Sequence, residues 1–452
     1  MPIETSGASG AARKSATDAA AELAHKLVSA TCPACGHHVA APFYNGGRQP
    51  LATLGWPKTA GEARAMPRLP LDFVRCTACG HVFNASFDYN QVPYSQVEYR
   101  TFNRGGLWTD FLESVAGEVR RRLPASPAIV EIGYGDGSFL EALAAGLAKG
   151  RFIGFDPHGA MPADAPRLEL RRELFDPGRH LAELAPDLII SRHVLEHLSD
   201  PLAFIQHISL AAACLGQRPM MYLEVPCIDR ALDAGRTEDF FYEHNSHFTT
   251  ASFCRMLERT GARLEALGHG YEGEVVYAFV RLEAAGESVG NGLAALRFLA
   301  AAGRARQRIA QQLTALHHSG KRVAFWGGTG RAAAFINAHG ADAERFPTVV
   351  DSDPLKAGSY VPGSGQLIRF RDWLIENPAD VIVIPCQWRA ADILREIRQH
   401  GIRYETILID RQGELADFPG PAGPHAPDAE AGADIARLAG FVAPATPIET
   451  GN

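Results

Sequence analysis

The run AIVEIGYGDGSFLEALA, residues 128–144, constrains the fold of this chain more than any other stretch. Apolar residues lead into Glu131, glycines follow at 133, 135 and 137, and a helix-like pattern begins directly after them. The order predicts a buried strand, a tight turn and a helix N-terminus. In a doubly wound α/β sheet that arrangement cradles a nucleotide-like cofactor at the carboxyl end of the first strand. Glycine is wanted there because only a residue without Cβ lets the backbone turn sharply and approach a ligand. A second strand, RFIGFDP, ends in Asp156, nineteen residues after Gly137. A carboxylate at that place accepts hydrogen bonds from a ribose diol. The competing reading, a Gly-rich turn beside a solvated Asp, loses ground because the two features coincide.

Together they resemble the S-adenosylmethionine (SAM) site of class I methyltransferases. The resemblance implies that Glu131, Gly133, Gly135, Gly137 and Asp156 form the cofactor site.

With 452 residues the chain has room for two or three domains with full cores. Its hydrophobic content of 46% and charged content of 21% are those of an ordinary globular protein. A formal charge of 44 − 51 = −7 argues against a nucleic-acid or membrane-surface partner. No apolar stretch of about 18 residues suits a spanning helix, and the small, polar N-terminus has no core suited to a signal peptide. A cytoplasmic protein is expected, with Cys214, Cys227, Cys254 and Cys386 as buried, reduced small hydrophobes.

Composition shifts divide the chain into a disordered tail (1–29), a Pro-, Gly- and aromatic-rich module (30–98), an alternating strand–helix domain (99–285), a linker helix (286–318), a second βαβ domain (319–412) and a loose tail (413–452). Leu293, Leu296, Leu299, Ile309, Leu313 and Leu316 give the linker its helical spacing. The fold class expected is α/β: a Rossmann-like methyltransferase domain, an N-terminal Zn(Cys)4 module and a second Rossmann-like domain.

CPACGHH at 32–38 and CTACGH at 76–81 are matching knuckles. Four thiolates, Cys32, Cys35, Cys76 and Cys79, close a tetrahedron around one Zn²⁺ and leave no open position, so the metal is read as structural. The gap between the knuckles exceeds the usual ribbon spacing. A disulfide pair is the alternative, and His37, His38 and His81 are nearby substitutes.

PDLIISRHVLEHLSDP, residues 186–201, places His193, Glu196 and His197 in the pattern H-x-x-E-H. In isolation this is the inverted zincin motif. A strand leads directly into it, however, whereas a zincin carries its motif within a long helix. Class I methyltransferases have a similar VLEH segment beside the cofactor, which puts His193 and His197 at the cofactor or acceptor pocket. The plain alternative is that His197 packs or caps the helix. TEDFFYEHNSHFTTASF, residues 237–253, gathers Tyr242, Glu243, His244 and His247 among aromatic residues, before a helix capped by Thr250 or Ser252. Such density of titratable groups beside apolar ones favours proton transfer. His244 oriented by Glu243 suits a general base, and a structural His–Glu pair is the alternative.

Knuckles, SAM domain and E-H segment, in this order, resemble the sugar C-methyltransferases that act on nucleotide-linked 4-keto-deoxysugars. KRVAFWGGTGRAAAFIN, VVDSDPLKAGSYVPGSG and ADVIVIPCQW are similar to that family's C-terminal domain. The resemblance covers about residues 30–412 and implies a base at His244 that forms an enolate, with Tyr242 and His197 at the acceptor. Two departures stand at that site. Phe241 occupies the family's Tyr position, and the family's N-x-x-A-H reads His193-Val-Leu-Glu-His197 here. O- or N-methylation of another small molecule, and a non-catalytic SAM- or nucleotide-binding role, remain the alternatives.

A second turn, Phe325-Trp-Gly-Gly-Thr-Gly330, is followed by Asp351 at the end of the next strand. By itself it suggests NAD. The resemblance implies the acceptor's diphosphate instead, and a packing-only domain is the third possibility.

Overall fold

The computed structural model describes residues 16–54, 56–93, 105–161, 165–284 and 286–418. Two compact units divide the chain, residues 1–291 and 292–452.

In the first unit a seven-stranded sheet runs in the order Ala262–Gly270, Val275–Leu282, Met220–Pro226, Leu188–Arg192, Ala128–Ile132, Arg151–Phe155, Leu168–Arg171. The last five strands of that order pair in parallel, and the first two antiparallel. Strands buried on both faces are nearly continuous apolar runs. Along them the side chains alternate between two cores. Ile129, Leu188 and Ile190 join Phe111, Val115 and Val119 of the helix Gly106–Arg121. Val130, Ile189 and Ile153 join Leu181, Ile205 and Ile208 on the other face. Chain order reverses between Ala128–Ile132 and Leu188–Arg192, so the sheet has its switch point where those strands end.

The knuckles belong to an antiparallel sheet of Val28–Ser29, Val39–Gln49, Leu69–Cys76, Val82–Asn84 and Ser246–His247. The fifth strand comes from the E-H segment, with Ser246 opposite Phe83 and His247 opposite Val82. The 30–98 segment thus borrows a strand from the E-H segment and shares one compact unit with the methyltransferase domain. The disordered tail is corrected, since Ala16–Lys26 is helical and Val28–Ser29 pairs with Val39 and Ala40. Residues 1–15 lie outside the described residues.

The second unit holds a six-stranded sheet ordered Ile368–Phe370, Thr348–Asp351, Val323–Trp326, Val381–Ile384, Thr406–Arg411, Glu414–Asp417. All of its pairs are parallel except the last. That last strand corrects the loose tail at 413, and residues 419–452 lie outside the described residues. The helix Gly286–His318 forms as its spacing predicts and buries Ile309 and Leu313 in this unit's core. Leu293, Leu296 and Leu299 stay exposed. Cys214 is exposed too, contrary to the expectation of a buried thiol, while Cys227 is buried.

Candidate active site

The turn at 133–137 is left-handed at all three glycines, with φ of +77°, +58° and +78°. At Gly133 a Cβ would meet Val194 Cγ2 at 2.4 Å, so no larger residue fits there. Between this turn and the loop after Leu188–Arg192 lies a cavity of about 250 Å³. Glu131, Gly133, Gly135, Asp156, His193 and His197 all line it. Gly137 does not. It stands at the N-cap of the helix Ser138–Ala145 and fixes where that helix starts.

Asp156 ties the turn to the second strand. Gly135 N–H donates to its Oδ2 (3.1 Å) and His158 N–H to its Oδ1 (2.9 Å). A carboxylate oxygen has two acceptor sites, so each retains one for a ligand. Glu131 is buried, and its Oε2 has no hydrogen-bond partner among the described residues. Burial pushes its carboxyl up to about 8, against the pull of Arg192. An orphaned buried acid on a cavity wall gains from a cationic ligand, and SAM, with its sulfonium and ammonium, fits that demand.

Reasoning from the sequence missed the charges beneath this floor. Glu224 is buried and accepts from Arg192 Nε (3.1 Å), Arg192 Nη2 (2.8 Å) and the Tyr222 hydroxyl (2.6 Å). A lone acid in the apolar run MMYLEVP was the available signal. His193, at φ +50°, lies 3.0 Å by Nε2 from Glu224 and 3.4 Å by Nδ1 from Glu196. Burial opposes its charge, but the two carboxylates prevail and hold the imidazolium up to about 9. It is a cation near neutral pH.

Leu195–His197 forms a single 3-10 turn, not the long helix of a zincin. His197 is buried, its Nδ1 2.9 Å from the Glu243 carbonyl oxygen. The His244 ring centre lies 4.8 Å from that of His197 and 4.3 Å from that of Phe241. Burial, with the neighbouring imidazoles His197, His247 and His193 adding to it, holds His244 well below the usual histidine range, so it is neutral.

The other two expected catalytic groups are turned elsewhere. Glu243 Oε1 accepts from Thr53 N–H (2.7 Å), Thr53 Oγ1 (3.1 Å) and Leu54 N–H (3.1 Å), which corrects its expected role of orienting His244. Tyr242 is buried, and its hydroxyl accepts from Asp88 N–H (2.9 Å), so it anchors a loop and does not line the cavity. The following helix is capped by Thr249 and Ser252 in a capping box; Thr250 is its first residue.

The four knuckle cysteines are buried, with Cys32 Sγ 3.6 Å from Cys79 Sγ and Cys35 Sγ 3.6 Å from Cys76 Sγ. A disulfide requires about 2.05 Å, whereas sulfurs about 2.3 Å from one tetrahedral zinc lie about 3.8 Å apart. The spacing fits a metal and not a disulfide. His81 is buried against Phe83 and Phe248, while His37 and His38 are exposed beside Thr77 and Thr31.

Residues 99–267 match the family described as Methyltransferase domain, and residues 271–409 the family described as C-methyltransferase C-terminal domain. The chain is a class I SAM-dependent methyltransferase. It belongs with the methyltransferases that carry the C-methyltransferase C-terminal domain. Among solved structures, magnesium protoporphyrin IX methyltransferase (ChlM) from Synechocystis PCC 6803, with bound SAH, is 16% identical over 41% of this chain and 91% of its own, with a TM-score of 0.30. A SAM-dependent methyltransferase from Aquifex aeolicus is 15% identical over 40% and 100%, with a TM-score of 0.28. Mitomycin 7-O-methyltransferase MmcR is 18% identical over 38% of this chain and 53% of its own, with a TM-score of 0.28. No curated protein matches the chain.

In this methyltransferase the second turn has its own acid. Asp351 Oδ2 accepts from Gly328 N–H (3.2 Å), Oδ1 accepts from Asp353 N–H (3.0 Å), and Lys356 Nζ lies 3.1 Å from Oδ2. Arg331 stacks 4.2 Å over the Trp388 ring, and with Arg389 and Lys356 it acts electrostatically on Cys386. None of the described helices is long and apolar enough to cross a membrane.

Proposed function

We propose that this methyltransferase places a methyl group on carbon, next to the ketone of a nucleotide-linked deoxysugar or a related biosynthetic intermediate. The observation that carries the reading is the C-methyltransferase C-terminal domain match over residues 271–409. A buried imidazole on the cavity wall, His197, and a half-buried one against it, His244, support it.

SAM supplies an activated methyl, and the protein must orient the nucleophile and handle one proton. The acceptor's α C–H bond breaks and its proton passes to an imidazole of the His197–His244 pair, with His244 the proposed base. The enolate carbon then bonds to the methyl. The pair of electrons of the S–C bond stays on sulfur, leaving S-adenosylhomocysteine. A neutral His244 has the lone pair this needs, and His193, already protonated, is left as a positive wall. Glu131, Gly133, Gly135 and Asp156 are the proposed SAM contacts.

The four-cysteine cluster is proposed to hold one structural zinc, a state suited to the reducing cytoplasm. In the second unit Arg331 opens the helix that follows the switch-point turn and Lys356 pairs with the acid beside it, which favours an acceptor diphosphate over NAD. With a charge of −7, no nucleic-acid partner is proposed.

SAM turnover with a panel of nucleotide keto-sugars, followed by NMR of the product, tests the reading. A new C-methyl signal is expected. An O- or N-methyl product would move the enzyme to another acceptor class, and SAM binding without turnover across the panel would leave a binding role only.

A further inference from the structure

We propose that Glu196, His197 and His244 form a second metal site, one that takes a divalent ion of the zinc class and presents it to the cavity. A carboxylate oxygen of Glu196 and one ring nitrogen from each histidine lie within 4.8 Å of one another. Glu196 is 1% exposed, and its Oε2 has no hydrogen-bond partner among the described residues. The ring nitrogens nearest its Oε1 are His193 Nδ1 at 3.4 Å and His197 Nε2 at 4.0 Å. Oε1 therefore faces the His193 imidazolium, and the other oxygen of this buried carboxylate is left for a ligand.

The tautomer of His197 points the same way. A backbone carbonyl can only accept, so the 2.9 Å contact with the Glu243 oxygen puts the hydrogen on Nδ1. The other ring nitrogen, Nε2, lies 4.0 Å from Glu196 Oε1. Histidines that bind metals are held in this manner, by donating their other ring N–H to a carbonyl or carboxylate. His244 completes the trio, its ring centre 4.8 Å from that of His197.

Two histidines and one carboxylate are the donor set of a catalytic zinc, which keeps a fourth position open. The four-cysteine cluster, by contrast, saturates its ion. Ligands about 2.0–2.2 Å from a tetrahedral ion stand about 3.3–3.6 Å apart, so the trio closes by roughly an ångström when loaded. His197 lines the cavity, so the open position is on the acceptor side. The ligand it suits is an oxygen of the acceptor, a ketone or hydroxyl. Glu196 is also one of the departures from the N-x-x-A-H pattern, where alanine cannot bind a metal. This use of the ion rests on the methyl-transfer reading; the site itself does not. An ion and a proton compete for the His244 nitrogen, so ligand and base are alternative roles of this residue, and the experiment separates them.

The test is metal content and zinc titration of the full-length enzyme, with cobalt(II) substitution as a spectroscopic check. Two equivalents are expected. Glu196→Gln and His244→Gln should each weaken the second by tenfold or more and leave the first intact, with SAM binding retained as the control for folding. Cobalt in the second site of the unmutated enzyme should show the weak visible bands of nitrogen and oxygen ligands, without thiolate charge transfer. A single equivalent in the unmutated enzyme would overturn the proposal, as would a second that survives both substitutions. If His244→Gln abolishes turnover at unchanged metal content, the base assignment stands and the metal site falls. If two ions bind but no keto-sugar is methylated, the metal site stands and the acceptor reading falls.

Discussion

The two glycine turns of this methyltransferase share a backbone plan and differ in charge. Each follows a strand at its sheet's switch point, and in each the acid of the next strand accepts one N–H from the turn and another from just beyond itself. Around the first turn two acids line the cavity, Asp156 and Glu131, and the Oε2 of Glu131 has no partner among the described residues. Around the second, Lys356 neutralises the acid, and Arg331 and Arg389 add positive charge. The backbone device is indifferent to the ligand. Side chains at its rim decide between a cation such as SAM and an anion such as a diphosphate.

The largest expected effect isolates the chemistry of the first unit. His244→Gln should cut turnover by on the order of 10²–10⁴, the range for losing a positioned proton-transfer group. SAM affinity by calorimetry should hardly change. Near-native turnover would mean that the acceptor needs neither base nor metal from this residue.

Next comes the pair of acids. Asp156→Ala should weaken SAM binding by about 1.5–3 kcal/mol, roughly 10- to 150-fold, for lost hydrogen bonds to a charged group. Asp351→Ala should leave SAM binding unchanged. Equal effects from the two variants would break the comparison.

A smaller effect is the pH dependence of SAM binding. The Glu131 carboxyl is protonated below about 8 in the free enzyme, because burial disfavours its charge. A cationic ligand favours the carboxylate, so binding expels the proton. Affinity should therefore rise with pH by up to about tenfold per unit and level off above about 8. Glu131→Gln should flatten the profile, and a flat profile in the unmutated enzyme would remove Glu131 from the site.

The smallest change is at the second turn. Lys356→Ala removes a partly exposed cation from the buried Asp351 carboxylate, which keeps its two backbone N–H donors. The acceptor KM should rise only a few-fold, the scale of a partly exposed ion pair, with SAM KM unaltered. An unchanged acceptor KM would take the diphosphate away from this turn.

What was legible in the sequence is what lies close along the chain. The strand, glycines and following acid fall within 30 residues, and each knuckle within four, so local spacing carries them. The groups that escaped are pairings across long separations. Glu243 bonds to Thr53, 190 residues away, and Tyr242 to Asp88, 154 away. Adjacency misled as well. Glu243 and His244 are neighbours in a turn, where successive side chains point in different directions, so one carboxylate reaches the loop after Val39–Gln49 while its neighbour faces His197. The Arg192–Glu224 pair was hidden because a sequence pattern records an apolar strand and not which charge meets its one acid.

The borrowed strand Ser246–His247 bears on how the chain is made. During synthesis both knuckles leave the ribosome well before Ser246 and His247 do. Their sheet therefore keeps the Val82–Asn84 edge open until about 160 further residues have been added. At the usual 5–20 residues per second that is roughly ten to thirty seconds. Through that interval an unpaired edge is a template for another chain. The nascent protein is thus most prone to mispairing just before its histidine cluster arrives, and the strand that ends the exposure also delivers His244 to its place.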